Sequence, residues 1–246
     1  MKTKQFEQKR KGWFRGLKNV LKIRYKKVQF FYLGAKPTER SIILSNHEGT
    51  DAPLSLEIYA DFPICFWGAH EMNSGLRKLY KYQSEVYYPI KKHWNLHLSR
   101  LFCLLASPLT NLFYKGLNLI SIYRDSRLRQ TLDESLTALN NGDNIVIFPE
   151  DSSEGYSDEM KGFFAGFVML AEKALQNGMD LPIFVSYFKK KQHQYIFDAP
   201  VNYSQLKKQF ADRNAIAAHL CDRCNALREL QLDAPATHSQ SISKAA

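Results

Sequence analysis

The sequence predicts an α/β domain with a mostly parallel sheet flanked by helices, preceded by a basic amphipathic helix. Short apolar, β-branched runs alternate with stretches of helical periodicity over about 200 residues, the pattern of consecutive strand–helix units. Two of the runs break abruptly into polar residues, at Ser45-Asn46-His47 and at Ile147-Phe148-Pro149-Glu150. A strand reads this way when it delivers side chains to the rim of an α/β sheet. With 246 residues the chain is long enough to bury a substantial core.

The first element covers residues 1–34. On a helical projection Phe6, Trp13, Phe14, Leu17, Val20, Leu21 and Val28 fall on one side, and Lys4, Lys11, Arg15, Lys18, Lys22 and Lys26 on the other. Lys/Arg on one face with Trp/Phe/Leu on the other is the composition of an interfacial membrane helix. A helix packed on its own domain with a solvated basic face is the alternative. Gly34-Ala35-Lys36-Pro37 ends the arm.

Residues 41–45 then predict a buried strand running into His47, and residues 62–68 a second. Residues 71–115 mix aromatic, basic and apolar positions and are read as mainly helical. Residues 117–123 predict a strand ending at Arg124. Past Asp125 and Ser126, either of which can cap, Leu128, Leu132, Leu136 and Leu139 recur at helical spacing until Asn140-Asn141-Gly142 stops the helix. A strand at 144–148, a helix at 163–174 closed by Gly178, strands at 181–188 and 194–197, and helical periodicity over 206–232 complete the domain. Residues 233–246 are expected to form a disordered tail, so the α/β domain occupies 35–232.

Charge is unevenly placed. Residues 1–40 hold thirteen Lys/Arg against Glu7 and Glu39, whereas the remainder has 21 basic and 22 acidic residues. A nucleic-acid-binding body would itself be basic, so nucleic acid is not an expected partner. Four cysteines in a chain this long do not make a disulfide framework, which favours a reducing compartment. Cys221-x-x-Cys224 lacks a second ligand cluster for zinc, and its helical setting reads as packed thiols, so no metal is expected. The longest apolar stretch, 101–114, is interrupted by Ser107, Pro108, Thr110 and Asn111, short of the roughly 20 residues of a spanning helix. No secretory leader is read in the first 30 residues. Neither a Gly-rich phosphate loop nor a Gly-x-Ser-x-Gly elbow occurs, which argues against a nucleotide-binding enzyme and a serine hydrolase.

The two rim segments carry chemistry. A neutral imidazole can accept the proton of an alcohol as that oxygen attacks a thioester or acyl phosphate. Asp51 lies four residues after His47, and on a helix the two would share a face, so that the carboxylate could orient the ring and stabilise the imidazolium. The bland alternative is a structural histidine capped by a nearby aspartate. Phe148, Pro149, Glu150, Asp151, Ser152 and Ser153 offer a second polar rim.

The order Asn46-His47…Asp51, Gly116…Ile122-Tyr123-Arg124, Phe148-Pro149-Glu150 and Leu181-Pro182-Ile183 resembles the four motif blocks of the glycerolipid acyltransferases, which include the 1-acylglycerol-3-phosphate acyltransferases. The resemblance covers roughly residues 40–200, and Phe163-x-x-Gly166 fits it too. It implies transfer of a fatty acyl group from coenzyme A, acyl-carrier protein or acyl phosphate to a glycerolipid hydroxyl in phospholipid biosynthesis. It further implies His47 as general base, Asp51 as its partner, and Arg124 with residues 148–153 as the acceptor site. The donor is a co-substrate, and no bound cofactor is implied. The expected location is peripheral, on the cytoplasmic face of a membrane.

Two departures from the family pattern stand out. Three residues, not four, separate His47 from Asp51, which leaves Glu48 or Glu150 open as the orienting group. Asp151-Ser152-Ser153 stands where the family has Gly-Thr-Arg, and exchanging an arginine for a carboxylate disfavours phosphate. A non-catalytic lipid-binding protein on the same fold and an acyl thioesterase are the rival readings.

Overall fold

The apolar runs become strands of one sheet, and the periodic stretches become the helices that cover it. In chain order the elements are α1 (Gly12–Arg24), β1 (Gln29–Tyr32), β2 (Ile42–Ser45), α2 (Asp51–Tyr59), β3 (Ile64–Ala69), α3 (His70–Asn73) and α4 (Leu76–Tyr82). A π-helix (Gln83–Lys91), α5 (Leu96–Gly116), β4 (Leu119–Ile122), α6 (Leu128–Asn140), β5 (Asn144–Ile147) and α7 (Gly166–Gln176) follow. The chain continues through β6 (Pro182–Lys189), β7 (Gln194–Phe197), β8 (Val201–Asn202), α8 (Tyr203–Gln209) and α9 (Arg213–Glu229). The computed structural model describes residues 10–117, 119–123, 125–151 and 158–232.

The strand order is β1-β7-β6-β2-β5-β3-β4, with β8 added alongside β6. Five pairings are parallel, and β6 meets β7 and β8 antiparallel. The mostly parallel sheet expected from sequence is therefore present. Its central strands are buried on both faces, as parallel strands with helical cover must be. Alternation divides them cleanly. Ile42, Leu44, Ile145 and Ile147 pack with α6, α7 and α9, while Ile43, Val146 and Phe184 face the opposite cluster with Leu56 of α2.

The arm departs from the expected single helix over 1–34. The helix ends at Arg24, and Gln29–Tyr32 joins the sheet edge, parallel to β7 from Gln29↔Gln194 to Tyr32↔Phe197. The cause lies in the run Gln29-Phe30-Phe31-Tyr32, whose aromatics favour a pleated, half-buried surface. Phe30 stacks on Tyr195, with ring centroids 5.7 Å apart. Nor is the helix one-sided. Phe14 is fully buried, whereas Trp13, Val20 and Ile23 are exposed. Arg10, just ahead of α1, donates to Glu57 of α2 in a fork (Nε–Oε1 3.2 Å, Nη2–Oε2 2.8 Å) and to the Ile64 carbonyl at 3.1 Å. Lys18, expected to point outward, meets Glu57 Oε1 at 2.9 Å.

Two further boundaries shift for local reasons. The helix expected from 163 starts at Gly166, because Phe163 first forms a β-bridge with Glu150. The segment 206–232 divides into α8 and α9, the second capped by Asp212, whose Oδ1 accepts the Ala215 N–H at 2.9 Å. Cys221 and Cys224 are buried core side chains, and the Cys224 thiol donates to the Ser186 carbonyl at 3.1 Å. The tail expected at 233–246 lies outside the described residues.

Gly116 ends α5 against the Phe14 ring, where an added Cβ would fall 1.9 Å from Cδ2. Gly116→Ala should therefore push Phe14 from its seat and lower stability by about 1–3 kcal/mol, the usual cost of overpacking. An unfolding midpoint equal to wild type would show that α1 does not hold its place through this contact.

Candidate active site

Strands β2 and β5 lie side by side and parallel, with Leu44 opposite Ile147. Their carboxyl ends therefore deliver His47 and Glu150 to the same rim, where open α/β sheets carry their sites. The His47 backbone N–H donates to Glu150 Oε2 at 3.3 Å, and the His47 and Phe148 rings lie 4.9 Å apart. Glu150 is buried and Phe148 partly so.

Asn46 fixes the approach. Its side-chain amide imitates a further strand residue: Nδ2 donates to the Phe188 carbonyl at 3.1 Å, and Oδ1 accepts the Phe188 N–H at 2.7 Å. Below it, the Ser45 hydroxyl meets Tyr195 Oη at 2.7 Å. Asn46→Leu would leave both Phe188 groups buried without partners. A loss of about 1–3 kcal/mol is expected in urea unfolding, and a loss below about 0.5 kcal/mol would refute this account.

The pairing expected between His47 and Asp51 does not form. The Asp51 carboxylate meets Lys190 Nζ at 2.6 Å and makes no hydrogen bond to the imidazole. Helical spacing cannot be applied from 47 to 51, because Glu48 (φ 38°) and Gly49 (φ 66°) are left-handed and α2 begins only at Asp51. Of the acids left open by sequence, Glu150 is the one that contacts His47, through its backbone. Glu48 has its carboxyl pushed up by burial, with Asp158 and Asp51 adding to the rise and Lys190 and Lys92 opposing it.

His47 keeps part of its surface exposed, but Nδ1 lies out of solvent. Burial, helped by the positive charge of Lys91 and Lys92, lowers its pKa to about 4. The imidazole is thus neutral near pH 7. Lys91, Lys92 and Lys190 are site neighbours that sequence reasoning missed. Lys92 reaches the loop so closely that a Cβ on Gly49 would lie 2.6 Å from its Nζ, and 3.7 Å from Tyr87 Oη. No linear spacing announces these contacts, since the lysines arrive from the π-helix and its exit and from the end of β6.

The third block is tied down from behind. Pro149 O accepts the Phe164 N–H at 2.8 Å, and the Asp151 N–H donates to the Gly162 carbonyl at 3.1 Å. Arg124, Ser152 and Ser153 lie outside the described residues. Among the described residues no group of three His, Cys, Asp or Glu side chains is placed to hold a metal ion.

No protein-family model matches the chain, and no curated protein matches it by sequence. Among solved structures, it is similar to the 1-acyl-sn-glycerophosphate (LPA) acyltransferase PlsC from Thermotoga maritima. The TM-score is 0.52, the identity 13%, and the match covers 88% of this chain and 78% of that one. Identity this low speaks for architecture and leaves the chemistry to the residues themselves. The chain has the α/β fold of that acyltransferase.

Proposed function

We propose that the protein transfers a fatty acyl group from an activated donor to a hydroxyl of a glycerolipid such as 1-acylglycerol-3-phosphate at a membrane surface. Coenzyme A, acyl-carrier protein or phosphate would be the leaving group. The observation that carries this reading is a neutral imidazole at the carboxyl end of β2, beside the Phe148–Glu150 rim of β5, in a fold shared with a known acyltransferase. In this reading the acceptor oxygen attacks the acyl carbonyl while His47 removes its proton. The bond from acyl carbon to donor sulfur or phosphate oxygen breaks, and the proton passes to the leaving group.

Glu150 holds the backbone of His47, and Asp51 acts from within the Lys190 ion pair. Arg124 with Phe148, Pro149, Glu150, Asp151, Ser152 and Ser153 binds the acceptor head group. Guanidinium suits phosphate, whereas Asp151 weakens that preference and allows a less acidic acceptor. The enzyme works peripherally, on the cytoplasmic face of the membrane.

Purified protein given acyl-CoA, acyl-carrier protein or acyl phosphate donors and a panel of lysolipids should form esterified lipid, and His47→Ala should not. Absence of any turnover that depends on His47 would refute the reading. Free fatty acid as the sole product would make the protein a thioesterase instead. A non-catalytic lipid-binding protein is the second reading, favoured by the engagement of Asp51 with Lys190. It requires lipid binding with equal donor turnover in wild type and His47→Ala.

A further inference from the structure

Helix α5 is built inside out. The side that faces the protein carries Ser99, Cys103, Ser107 and Gly116, small or polar residues that are all buried. Ser99 Oγ donates to the Asn95 carbonyl at 2.9 Å, and Ser107 Oγ donates to Gln83 Oε1 at 2.8 Å, so this inward side is satisfied and tight. The opposite side exposes Leu98, Leu101, Leu104, Leu105, Leu109 and Leu112, with Leu105 83% accessible. A helix that only had to pack on its domain would reverse this arrangement. Scattered exposed leucines need no explanation, but a row of six between Leu98 and Leu112 of one 21-residue helix does.

Helix α1 meets α5 through one buried ring. Phe14 packs on Phe113 of α5, with centroids 5.3 Å apart, and on Gly116. The Arg10–Glu57–Lys18 cluster holds α1 in that position. Trp13 and Ile23, the latter 88% accessible, are therefore presented by a helix fixed to the domain. The charge on both helical segments is mostly positive. Residues 10–27 carry eight Lys/Arg and no carboxylate, Arg10 and Lys18 of them engaged by Glu57, and residues 76–116 carry seven against Glu85 alone, whereas the rest of the chain has 19 basic and 23 acidic residues.

We infer that the outward face of α5, joined by the exposed apolar side chains of α1, is the surface on which this protein docks to an anionic lipid bilayer. This rests on the membrane part of the function proposed above and not on its catalytic part. About 31 Å of helix lying in the interface would bury the leucines in the acyl boundary while the flanking cations meet lipid phosphates. A second copy of the chain is the poorer occupant, because it would bring two faces of the same charge together. The inward side of the same helix faces the π-helix, where Ser107 donates to Gln83. The π-helix that packs against α5 also brings Tyr87 near Gly49 of the His47 loop, where an added Cβ would lie 3.7 Å from Tyr87 Oη.

The test is flotation of the full chain with phosphatidylglycerol/phosphatidylcholine vesicles and with phosphatidylcholine vesicles alone. Wild type should bind the anionic vesicles, and Leu101→Glu/Leu105→Glu should weaken binding by about 100-fold, as expected from two leucines left in water. Because both side chains face solvent, the unfolding midpoint of that variant should stay at the wild-type value. Leu105→Trp should bind as wild type, and the emission it adds to the wild-type signal should shift to the blue on vesicles. Flotation of the double Glu variant equal to wild type, or an added indole signal unmoved by vesicles, would overturn the proposal. So would a dimer that the Glu pair dissociates without change in vesicle binding. His47→Ala should float normally, so failure of catalysis alone leaves this surface intact.

Discussion

Glu57→Leu is expected to lower the unfolding free energy by about 3–5 kcal/mol, because it strands a buried charge on the surviving partner. Arg10 and Glu57 side chains are each 1% exposed, and the carboxylate serves both Arg10 and Lys18. Burial already lowers the Lys18 pKa against the opposing pull of Glu57, so removal of that carboxylate leaves two cations without their anion. The order of severity follows. Arg10→Met should cost less, since Glu57 keeps Lys18. Arg10→Met/Glu57→Leu should recover part of the loss, because the deepest charges vanish together. Urea unfolding at constant m-value measures all three. A Glu57→Leu protein as stable as wild type would mean that α1 does not rest on the domain, and the fixed presentation of Trp13 and Ile23 would go with it.

His47→Gln is expected to reduce acyl transfer by roughly 100- to 10,000-fold, the usual contribution of a positioned general base. Its pH signature separates that role from a structural one. In the unfolded chain the imidazole titrates near 6.5, and in the fold near 4. Between those values the unfolded state binds a proton that the native state refuses, so stability falls as pH drops from about 6.5 to about 4 and is unaffected by this group above that window. His47→Gln should flatten that slope. The acidic limb of kcat/KM should likewise lie near pH 4 and not near 6.5. A limb near 6.5 in wild type would show that the imidazole is solvated and that the neutral, buried base is the wrong description.

Much of the site is legible in linear order because strand ends are local features. The change from Ile42-Ile43-Leu44 to Asn46-His47, and from Ile145-Val146-Ile147 to Pro149-Glu150, marks two strands delivering polar residues at their carboxyl ends. Parallel pairing of β2 with β5 then places them together. The Asp51 pairing fails for an equally local reason. A four-residue interval implies a shared face only within a helix, and two left-handed residues intervene before α2 starts. The arm departs from a continuous helix at 29–32 because its aromatics satisfy a helical projection as readily as a pleated edge, and only the presence of β7 alongside decides between them.

The α/β alternation, the boundaries near Gly142 and Gly178, and the two rim segments follow from the order of residues, since periodicity and turn chemistry depend on neighbours along the chain. Packing between distant elements is what turns Asp51 toward Lys190, makes Glu57 the buried anchor of the arm, and leaves the leucines of α5 facing outward. Periodicity states which side chains share a face and is silent on what lies opposite. The charge of a facing group, or the small residues that let α5 approach the π-helix closely, enters only when those elements meet.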